Sequence, residues 1–111
     1  MPDTMADRRI APRYPVILIA QVRDLNGEKR FSARTSDLSR TGCYIDTLTP
    51  LPKGSSVRIR LARTDESFEA AATVMYVSPG LGMGVRFEEP IPQDQIALLE
   101  SWLQYAANQR E

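Results

Sequence analysis

Short segments in which apolar and polar residues alternate constrain the fold of this chain more than any other feature. Residues 57–62 have the sequence Val-Arg-Ile-Arg-Leu-Ala, and residues 68–77 repeat the alternation over a longer stretch. A period of two residues places successive side chains on opposite sides of a strand, so each segment can bury one face. Turn-forming residues, such as those at 24–27 and 78–82, separate these segments. The sequence therefore predicts short antiparallel strands joined by tight turns.

Six segments of the chain have the character of strands. They span residues 16–22, 30–35, 43–45, 57–61, 68–77 and 83–87. The first is apolar on both faces at its start, as in a fully buried strand. The predicted core face of the fifth consists of Phe68, Ala70, Ala72, Val74 and Tyr76. An all-β fold that closes into a small antiparallel barrel of six to seven strands is favoured over a sandwich, because closure removes exposed strand edges.

After residue 90 the apolar period changes from that of a strand to that of a helix. One helical face consists of Ile96, Leu99, Leu103 and Ala106, widened by Leu98, Trp102 and Tyr105. This helix is predicted to run from about residue 92 to residue 108 and to cap one mouth of the barrel. A chain of 111 residues forms one domain. We expect a flexible N-terminal arm over residues 1–13, and the barrel with its helix over residues 14–111.

Composition argues against several classes of function. Cys43 is the only cysteine and histidine is absent, which rules out an internal disulfide, a cysteine-based zinc site and any nucleophile–histidine pair. We therefore expect no enzyme, no cofactor and no metal site. No apolar stretch is long enough for a membrane segment and no secretory signal is visible, so a cytoplasmic protein is expected.

Charge is balanced overall but unevenly distributed. Residues 1–40 contain eight lysines and arginines against five acids, a net charge of +3, and the remaining residues contain six against nine. A protein that binds DNA or RNA along its length is usually basic overall, so no nucleic-acid partner is expected. The distribution favours a compact anion bound near the N-terminal end.

Two arginines four residues apart form the first candidate binding element. Arg9 and Arg13 lie in one basic segment with Arg8, which directly precedes Arg9. Pro12 and Pro15 favour an extended backbone in this segment. A guanidinium group can hold a phosphate through two parallel hydrogen bonds, and it can stack on a base. The segment therefore suits a phosphate-bearing ligand. The alternative is a set of solvated charges that pair with the aspartates of the same segment.

Residues 37–42, Asp-Leu-Ser-Arg-Thr-Gly, form the second candidate element. The Asp37 carboxylate can accept two donors at once, as the N1–H and N2–H₂ edge of guanine supplies. Ser39 can donate to the base or fix the bend through its backbone. Gly42 permits a positive φ and lets a ligand approach the main chain closely. The alternative is an ordinary Asx or Ser turn between two strands.

Together these segments resemble the RxxxR and (D/N)xSxxG signatures of PilZ domains, the bacterial receptors for cyclic di-GMP. As in that family, the arginine pair precedes the first strand and the second signature follows the second strand. A glycine-containing closing strand, residues 82–87, then precedes a C-terminal helix. The resemblance spans roughly residues 8–105 and implies a PilZ split barrel. It implies that the phosphates are held by Arg9 and Arg13, which also stack on guanine. It assigns one guanine to Asp37, Ser39 and Gly42.

The resemblance also implies a stoichiometry and partners. In this family a basic residue before the first motif arginine, here Arg8, goes with two stacked nucleotides, so two molecules of cyclic di-GMP per chain are expected. Arg40 and Gly84 are candidates for secondary contacts. Binding is expected to wrap the arm around the dinucleotide and to switch a surface that contacts an effector protein.

Two other functions stay open. One is a PilZ adaptor that acts through protein contacts without nucleotide, although adaptors of this kind typically lack one or both signatures, and both are intact here. The other is a small barrel that binds single-stranded nucleic acid. Such a barrel needs exposed aromatic residues, but most of the eight aromatic residues fall on predicted core faces. An enzyme is the least favoured class, because the chain offers no nucleophile–base pair.

Overall fold

The computed structural model describes residues 11–109, which form six strands and one helix. The elements are β1 (Ile19–Asp24), β2 (Arg30–Leu38), β3 (Gly42–Asp46), β4 (Ser56–Arg63), β5 (Glu66–Ser78), β6 (Gly82–Phe87) and α1 (Gln93–Asn108). The strands form one closed barrel in the order β1-β2-β3-β6-β5-β4, and β4 pairs with β1 to close it. Every neighbouring pair is antiparallel. The predicted all-β barrel with a C-terminal helix is confirmed, with six strands.

Alternation along the strands fills the barrel with side chains. In β4 the inward residues Val57, Ile59 and Leu61 are fully buried, while the arginines between them are exposed. Phe68 of β5 packs against Phe87 of β6, with the ring centroids 5.0 Å apart. Burying an apolar side chain of this size stabilises a fold by about 1.5–3 kcal/mol. The core therefore follows the period of two residues that is visible in the sequence.

Helix α1 packs on the barrel through one apolar face. Leu99, Trp102 and Leu103 are buried in the hydrophobic core. The indole Nε1 of Trp102 donates a hydrogen bond to Glu66 Oε1 at the start of β5, at 2.9 Å. This bond satisfies the one polar atom that Trp102 brings into the interface. No helix within residues 11–109 is both long and apolar enough to cross a membrane.

The first strand begins three residues later than predicted, at Ile19. Upstream of Ile19 the Thr35 N–H still donates to the Leu18 carbonyl oxygen at 3.0 Å, but the side chain of Thr35 replaces the backbone as partner in the other bonds. The Leu18 N–H donates to Thr35 Oγ1 at 2.9 Å, and Thr35 Oγ1 donates to the Val16 carbonyl oxygen at 2.7 Å. Because a side chain replaces the next bond of the ladder, regular pairing stops there. Ile17 and Ile19 are 69% and 55% exposed, so the expectation of a strand buried on both faces is wrong.

The variant Thr35→Val tests this local arrangement. Thr35 is fully buried, and valine keeps its shape but removes both hydrogen bonds of the hydroxyl. We expect the free energy of unfolding, measured by urea denaturation, to fall by about 2 kcal/mol, because a buried group left without its partner costs about 1–3 kcal/mol. Ser36→Ala changes an exposed neighbour and should cost less than about 0.5 kcal/mol. Equal losses in the two variants would contradict the role assigned to Thr35.

Candidate functional site

A two-bond bridge between Tyr14 and Leu38 fixes the segment before β1 to the end of β2. The backbone N–H of each residue donates to the carbonyl oxygen of the other, at 2.9 Å in both directions. Because the bridge is antiparallel, the preceding residues Arg13 and Asp37 are diagonal neighbours across it, a spacing that a long side chain can span. Arg13 Nη2 donates to Asp37 Oδ1 at 3.0 Å. One residue of each predicted signature is thus joined in an ion pair.

This ion pair lies at the surface. The side chain of Arg13 is 45% exposed and that of Asp37 is 32% exposed. Partial burial lowers the pKa of Arg13, but the hydrogen bond and the charge of Asp37 raise it by more, so the net change is upward. Arg13 therefore stays a cation. An accessible guanidinium beside a carboxylate can exchange that partner for the oxygens of a phosphate, which match its planar array of donors.

Ser39 fixes the bend between β2 and β3. The residue is 1% exposed, and its Oγ accepts the backbone N–H groups of Thr41 and Gly42, both at 3.2 Å. The Ser39 N–H donates to the Gly42 carbonyl oxygen at 2.8 Å. Of the two roles predicted for this hydroxyl, the geometry corresponds to the structural one.

Gly42 begins β3, and glycine is required there for a reason different from the predicted one. A Cβ at this position would lie 2.0 Å from the carbonyl oxygen of Val85 and 3.1 Å from the Cα of Arg86. Among the glycines of residues 11–109, positive φ angles occur at Gly54 and Gly80. The expectation that Gly42 supplies a positive φ is therefore wrong. Glycine is needed because β6 passes too close to leave room for a side chain.

Tyr76 lies on the outer surface of the barrel, although the sequence predicts it in the core. The register between β5 and β6 shifts between Val74 and Tyr76. Such a bulge reverses the side to which the following residues point. Val74 is accordingly 1% exposed and Tyr76 is 46% exposed. The bulge adds an aromatic ring to the surface near the two signatures.

Tyr76 is one end of a row of residues that crosses four neighbouring strands. Asp37 of β2 pairs with Tyr44 of β3, Tyr44 pairs with Gly84 of β6, and Gly84 pairs with Tyr76 of β5. The rings of Tyr44 and Tyr76 stack with centroids 6.1 Å apart and an interplanar angle of 30°. A Cβ at Gly84 would lie 2.3 Å from two ring carbons of Tyr76. Glycine at this position thus lets the ring of Tyr76 lie across β6.

The row borders an open cleft of about 360 Å³. Its lining includes Arg13, Gly42, Tyr76, Gly84 and Arg86. The side chain of Arg86 is exposed and makes no ion pair with any residue of the described range 11–109. The cleft therefore combines two cations with an aromatic ring. This combination suits an anionic ligand that carries flat rings.

The other predicted site residues are placed as follows. Arg8 and Arg9 lie outside the described residues. Arg40 is exposed and forms an ion pair with Glu100 of α1, at 3.0 Å, so in this state its guanidinium group is directed to the helix. Gly84 lines the cleft and supports the ring above it.

Cys43 contributes no reactive group to this surface. Its side chain is completely buried, and burial, followed by the charge of Asp37, raises the pKa of the thiol to about 12. The thiol therefore stays protonated at neutral pH and packs as a small apolar group. Within the part of the chain that the structure describes, no three His, Cys, Asp or Glu side chains are grouped as metal ligands.

Sequence reasoning missed Tyr44, Tyr76 and Arg86 as residues of the site. Arg86 carries a usable signal, because it alternates with the inward-facing Val85 and Phe87 and must therefore point outward. The position of Tyr76 depends on the bulge in β5, which leaves no clear mark in the sequence.

Comparison with solved structures finds the same fold in several proteins. The structure of the Bacillus subtilis inhibitor of motility MotI/DgrA matches with a TM-score of 0.75 and 21% identity over 94% of this chain. This chain spans about half, 54%, of the length of that structure. The PilZ domain of YcgR from Escherichia coli, with c-di-GMP, matches with a TM-score of 0.74 and 16% identity over 92% of this chain and 93% of that one.

A third match is the PilZ domain of CeSA from a cellulose-synthesizing bacterium. Its TM-score is 0.62, with 19% identity over 90% of this chain and 99% of that one. No curated protein matches the sequence. At these identities the three structures show the shared fold. The sequence itself matches the model of the PilZ domain over residues 7–105, so the chain belongs to the PilZ domain family.

Proposed function

We propose that this protein is a receptor for cyclic di-GMP. The observation that carries the proposal is the contact between Arg13 and Asp37, which joins the two signatures of the family at the edge of an open cleft. A cyclic dinucleotide has two phosphates and two guanines. The cleft offers two cations for the phosphates and the ring of Tyr76 for a guanine, and the carboxylate of Asp37 lies beside the cleft on Arg13. PilZ domains are binding and adaptor domains, and the proposal assigns the chain to the nucleotide-binding kind.

Each group in the site has a separate task in this proposal. Arg9 and Arg13 bind phosphate oxygens and stack on guanine. Asp37 accepts the N1–H and N2–H₂ groups of one guanine, which requires that its carboxylate be shared with, or released from, Arg13. Tyr76 offers its exposed face to a base. Ser39 acts indirectly, by holding the bend that carries Asp37.

The same ion pair supports a ligand-dependent switch. Arg13 and Asp37 neutralise each other at 3.0 Å. A phosphate that recruits Arg13 and a guanine that recruits Asp37 would separate the two and change the surface where the segment before β1 meets the bend. A ligand can shift such an equilibrium only through contacts that differ between the two states. The switched surface would then bind an effector protein in the cytoplasm.

Isothermal titration calorimetry tests the proposal directly. We expect cyclic di-GMP to bind with a Kd on the order of micromolar or tighter, which corresponds to about −8 kcal/mol or more, and GTP to give no comparable signal. Arg9→Ala should remove the binding, and Arg34→Ala, which changes an exposed arginine elsewhere on β2, should retain it. The fitted stoichiometry tests the role of Arg8: two nucleotides per chain in the wild type, and one in Arg8→Leu.

Absence of binding from protein that is demonstrably folded would overturn the proposal. A PilZ adaptor that acts through protein contacts alone would then be the function to test next, by partner capture. Binding of cyclic di-GMP that survives in Arg9→Ala would instead retain the ligand and reject the role given to the arginine pair.

A further inference from the structure

Three arginines lie directly beside one another on neighbouring strands, on a face of the barrel that the proposed nucleotide site does not use. Arg23 of β1 pairs with Arg30 of β2 on one side and with Arg58 of β4 on the other. Residues directly opposite in antiparallel strands have Cβ atoms about 4.5–5.5 Å apart, and like charges at that spacing destabilise the sheet. A fourth arginine, Arg60, follows on β4. We call Arg23, Arg30, Arg58 and Arg60 the arginine face.

Little negative charge offsets the arginine face. All four side chains are exposed, and the acidic residue that lines the same groove is Glu69. Glu69 pairs with Arg58 at 3.5 Å, with both side chains about half exposed, a geometry in which an ion pair is worth little. Arg23, Arg30 and Arg60 make no ion pair with any residue between 11 and 109. The groove therefore keeps a net charge of about +3 by this count of four arginines and one glutamate.

The groove between these side chains is lined by hydrogen-bond donors. It has a volume of about 460 Å³, and Gln21 and Ser32 line it beside the arginines. Gln21 of β1 pairs with Ser32 of β2 on one side and with Arg60 of β4 on the other. Arginine, glutamine and serine side chains can all donate, and arginine cannot accept. Within one strand, Arg58 and Arg60 are separated by about 7 Å, the spacing of alternate residues in an extended chain. An extended segment with acidic residues at alternate positions matches that spacing.

The arginine face is remote from the proposed nucleotide site. Arg30 begins β2 and Asp37 lies near its end, so seven residue steps of about 3.3 Å, or about 23 Å, separate them. A ligand the size of cyclic di-GMP cannot contact both. The two surfaces can therefore be tested independently.

We propose that the arginine face is a docking surface for an acidic, extended segment of a partner protein. The four guanidinium groups match carboxylates in charge, and their planar donors match the two oxygens of a carboxylate in geometry. The hydroxyl and amide groups of the groove add further donors. The one aromatic residue that lines the groove, Phe31, is partly buried against the core, whereas single-stranded nucleic acids are bound largely by stacking on exposed aromatic rings. The net charge of the whole chain is zero, whereas a protein that binds nucleic acid along its length is usually basic overall.

Fluorescence anisotropy with a labelled decapeptide of alternating glutamate and serine tests this inference at low ionic strength. We expect saturable binding to the wild-type protein that weakens as salt is added, because the interaction is between surface charges. The double variant Arg23→Gln/Arg30→Gln should bind at least about tenfold more weakly, a loss of about 1.4 kcal/mol. The matched variant Arg34→Gln/Lys53→Gln removes two exposed charges outside the groove and should stay within about twofold of the wild type.

Three results would overturn the inference. The first is no saturable binding of the peptide. The second is an equal loss of peptide affinity in both double variants, which would mean that the peptide responds only to the net charge of the protein. The third is tighter binding of a labelled oligothymidylate than of the peptide, with that binding lost in Arg23→Gln/Arg30→Gln. This result would make the groove a nucleic-acid surface. Cyclic di-GMP titrations of the Arg23→Gln/Arg30→Gln variant should match those of the wild type, so this test and that of the nucleotide site can fail separately.

Thermal unfolding gives an independent measurement of the same inference. If the arginine row is present for docking and not for folding, Arg23→Gln relieves repulsion from both neighbours, and Tm should stay unchanged or rise by a few degrees. A fall in Tm of more than about 5 °C would assign the row a structural role instead, and the inference would fail.

Discussion

Arg13→Ala is expected to abolish measurable binding of cyclic di-GMP and to leave the barrel folded. Arg13 lies at the cleft with its guanidinium group 3.0 Å from Asp37 and about half of its side chain exposed. Two charge-assisted hydrogen bonds to a phosphate would be lost, at about 1.5–3 kcal/mol each. The dissociation constant should therefore rise by about a hundredfold or more, since each 1.4 kcal/mol is a factor of ten. Calorimetric titration measures the change.

Folding should be almost insensitive to the same substitution. An ion pair this exposed contributes about 0–1 kcal/mol to stability. The backbone bridge between Tyr14 and Leu38, which holds the segment in place, does not involve the side chain of Arg13. Urea denaturation should therefore give a free energy of unfolding within about 1 kcal/mol of the wild type.

Arg58→Ala is a matched control for this prediction. Arg58 is also an exposed arginine on the barrel, with 46% of its side chain accessible, and also pairs with a carboxylate, that of Glu69. Arg58→Ala should keep full affinity for cyclic di-GMP. Its free energy of unfolding should change by less than about 1 kcal/mol, because loss of the exposed pair with Glu69 is offset by relief of the repulsion from Arg23. Nucleotide binding retained in Arg13→Ala, or lost equally in Arg58→Ala, would contradict the assignment of Arg13 to the phosphates.

The period of two residues was sufficient to predict the barrel. In β4, each inward residue of the pattern Val57, Ile59 and Leu61 is buried, as alternation requires. The change to a helical period near the C-terminus likewise predicted α1, whose buried residues Leu99, Trp102 and Leu103 all lie on the predicted face. These elements could be predicted because burial of one face depends on the local sequence period and on little else.

Features that depend on contacts between distant segments were not predictable in the same way. The bulge that exposes Tyr76 arises from the pairing of β5 with β6, and the late start of β1 arises from the hydroxyl of Thr35, seventeen residues after Leu18. Neither is a property of a local pattern. Arg13 and Asp37 could be named from the two signatures, but their contact follows from the bridge between Tyr14 and Leu38.

Gly42 shows the same distinction within the signature itself. The sequence marks the glycine, and a bend before a strand offers positive φ as the obvious reason for it. The structure gives another reason, because the carbonyl oxygen of Val85 occupies the space of a Cβ. Strand β6 lies more than forty residues later in the chain and pairs with β3. Its close approach therefore determines that the residue at the end of the bend must be glycine.

Gly42→Ala should consequently destabilise the protein by about 3 kcal/mol, at the upper end of the cost of overpacking. The added Cβ would lie 2.0 Å from a backbone atom, which cannot rotate away as the end of a side chain can, so β3 and β6 must separate. Thermal unfolding should show a fall in Tm of more than about 10 °C, since 1 kcal/mol corresponds to about 4–8 °C in a domain of this size.

Gly80→Ala separates this steric effect from the general cost of replacing a glycine. Gly80 has a φ of 74°, and a Cβ added there would meet no atom within 4 Å. Alanine at this position should therefore cost only the strain of the left-handed backbone, about 1–2 kcal/mol. A Gly42→Ala variant that is no less stable than Gly80→Ala would contradict the close approach of β3 and β6. If Gly42→Ala is the less stable of the two, any titration of it with cyclic di-GMP must be made well below its Tm, because above that temperature an unfolded barrel and a missing ligand contact give the same result.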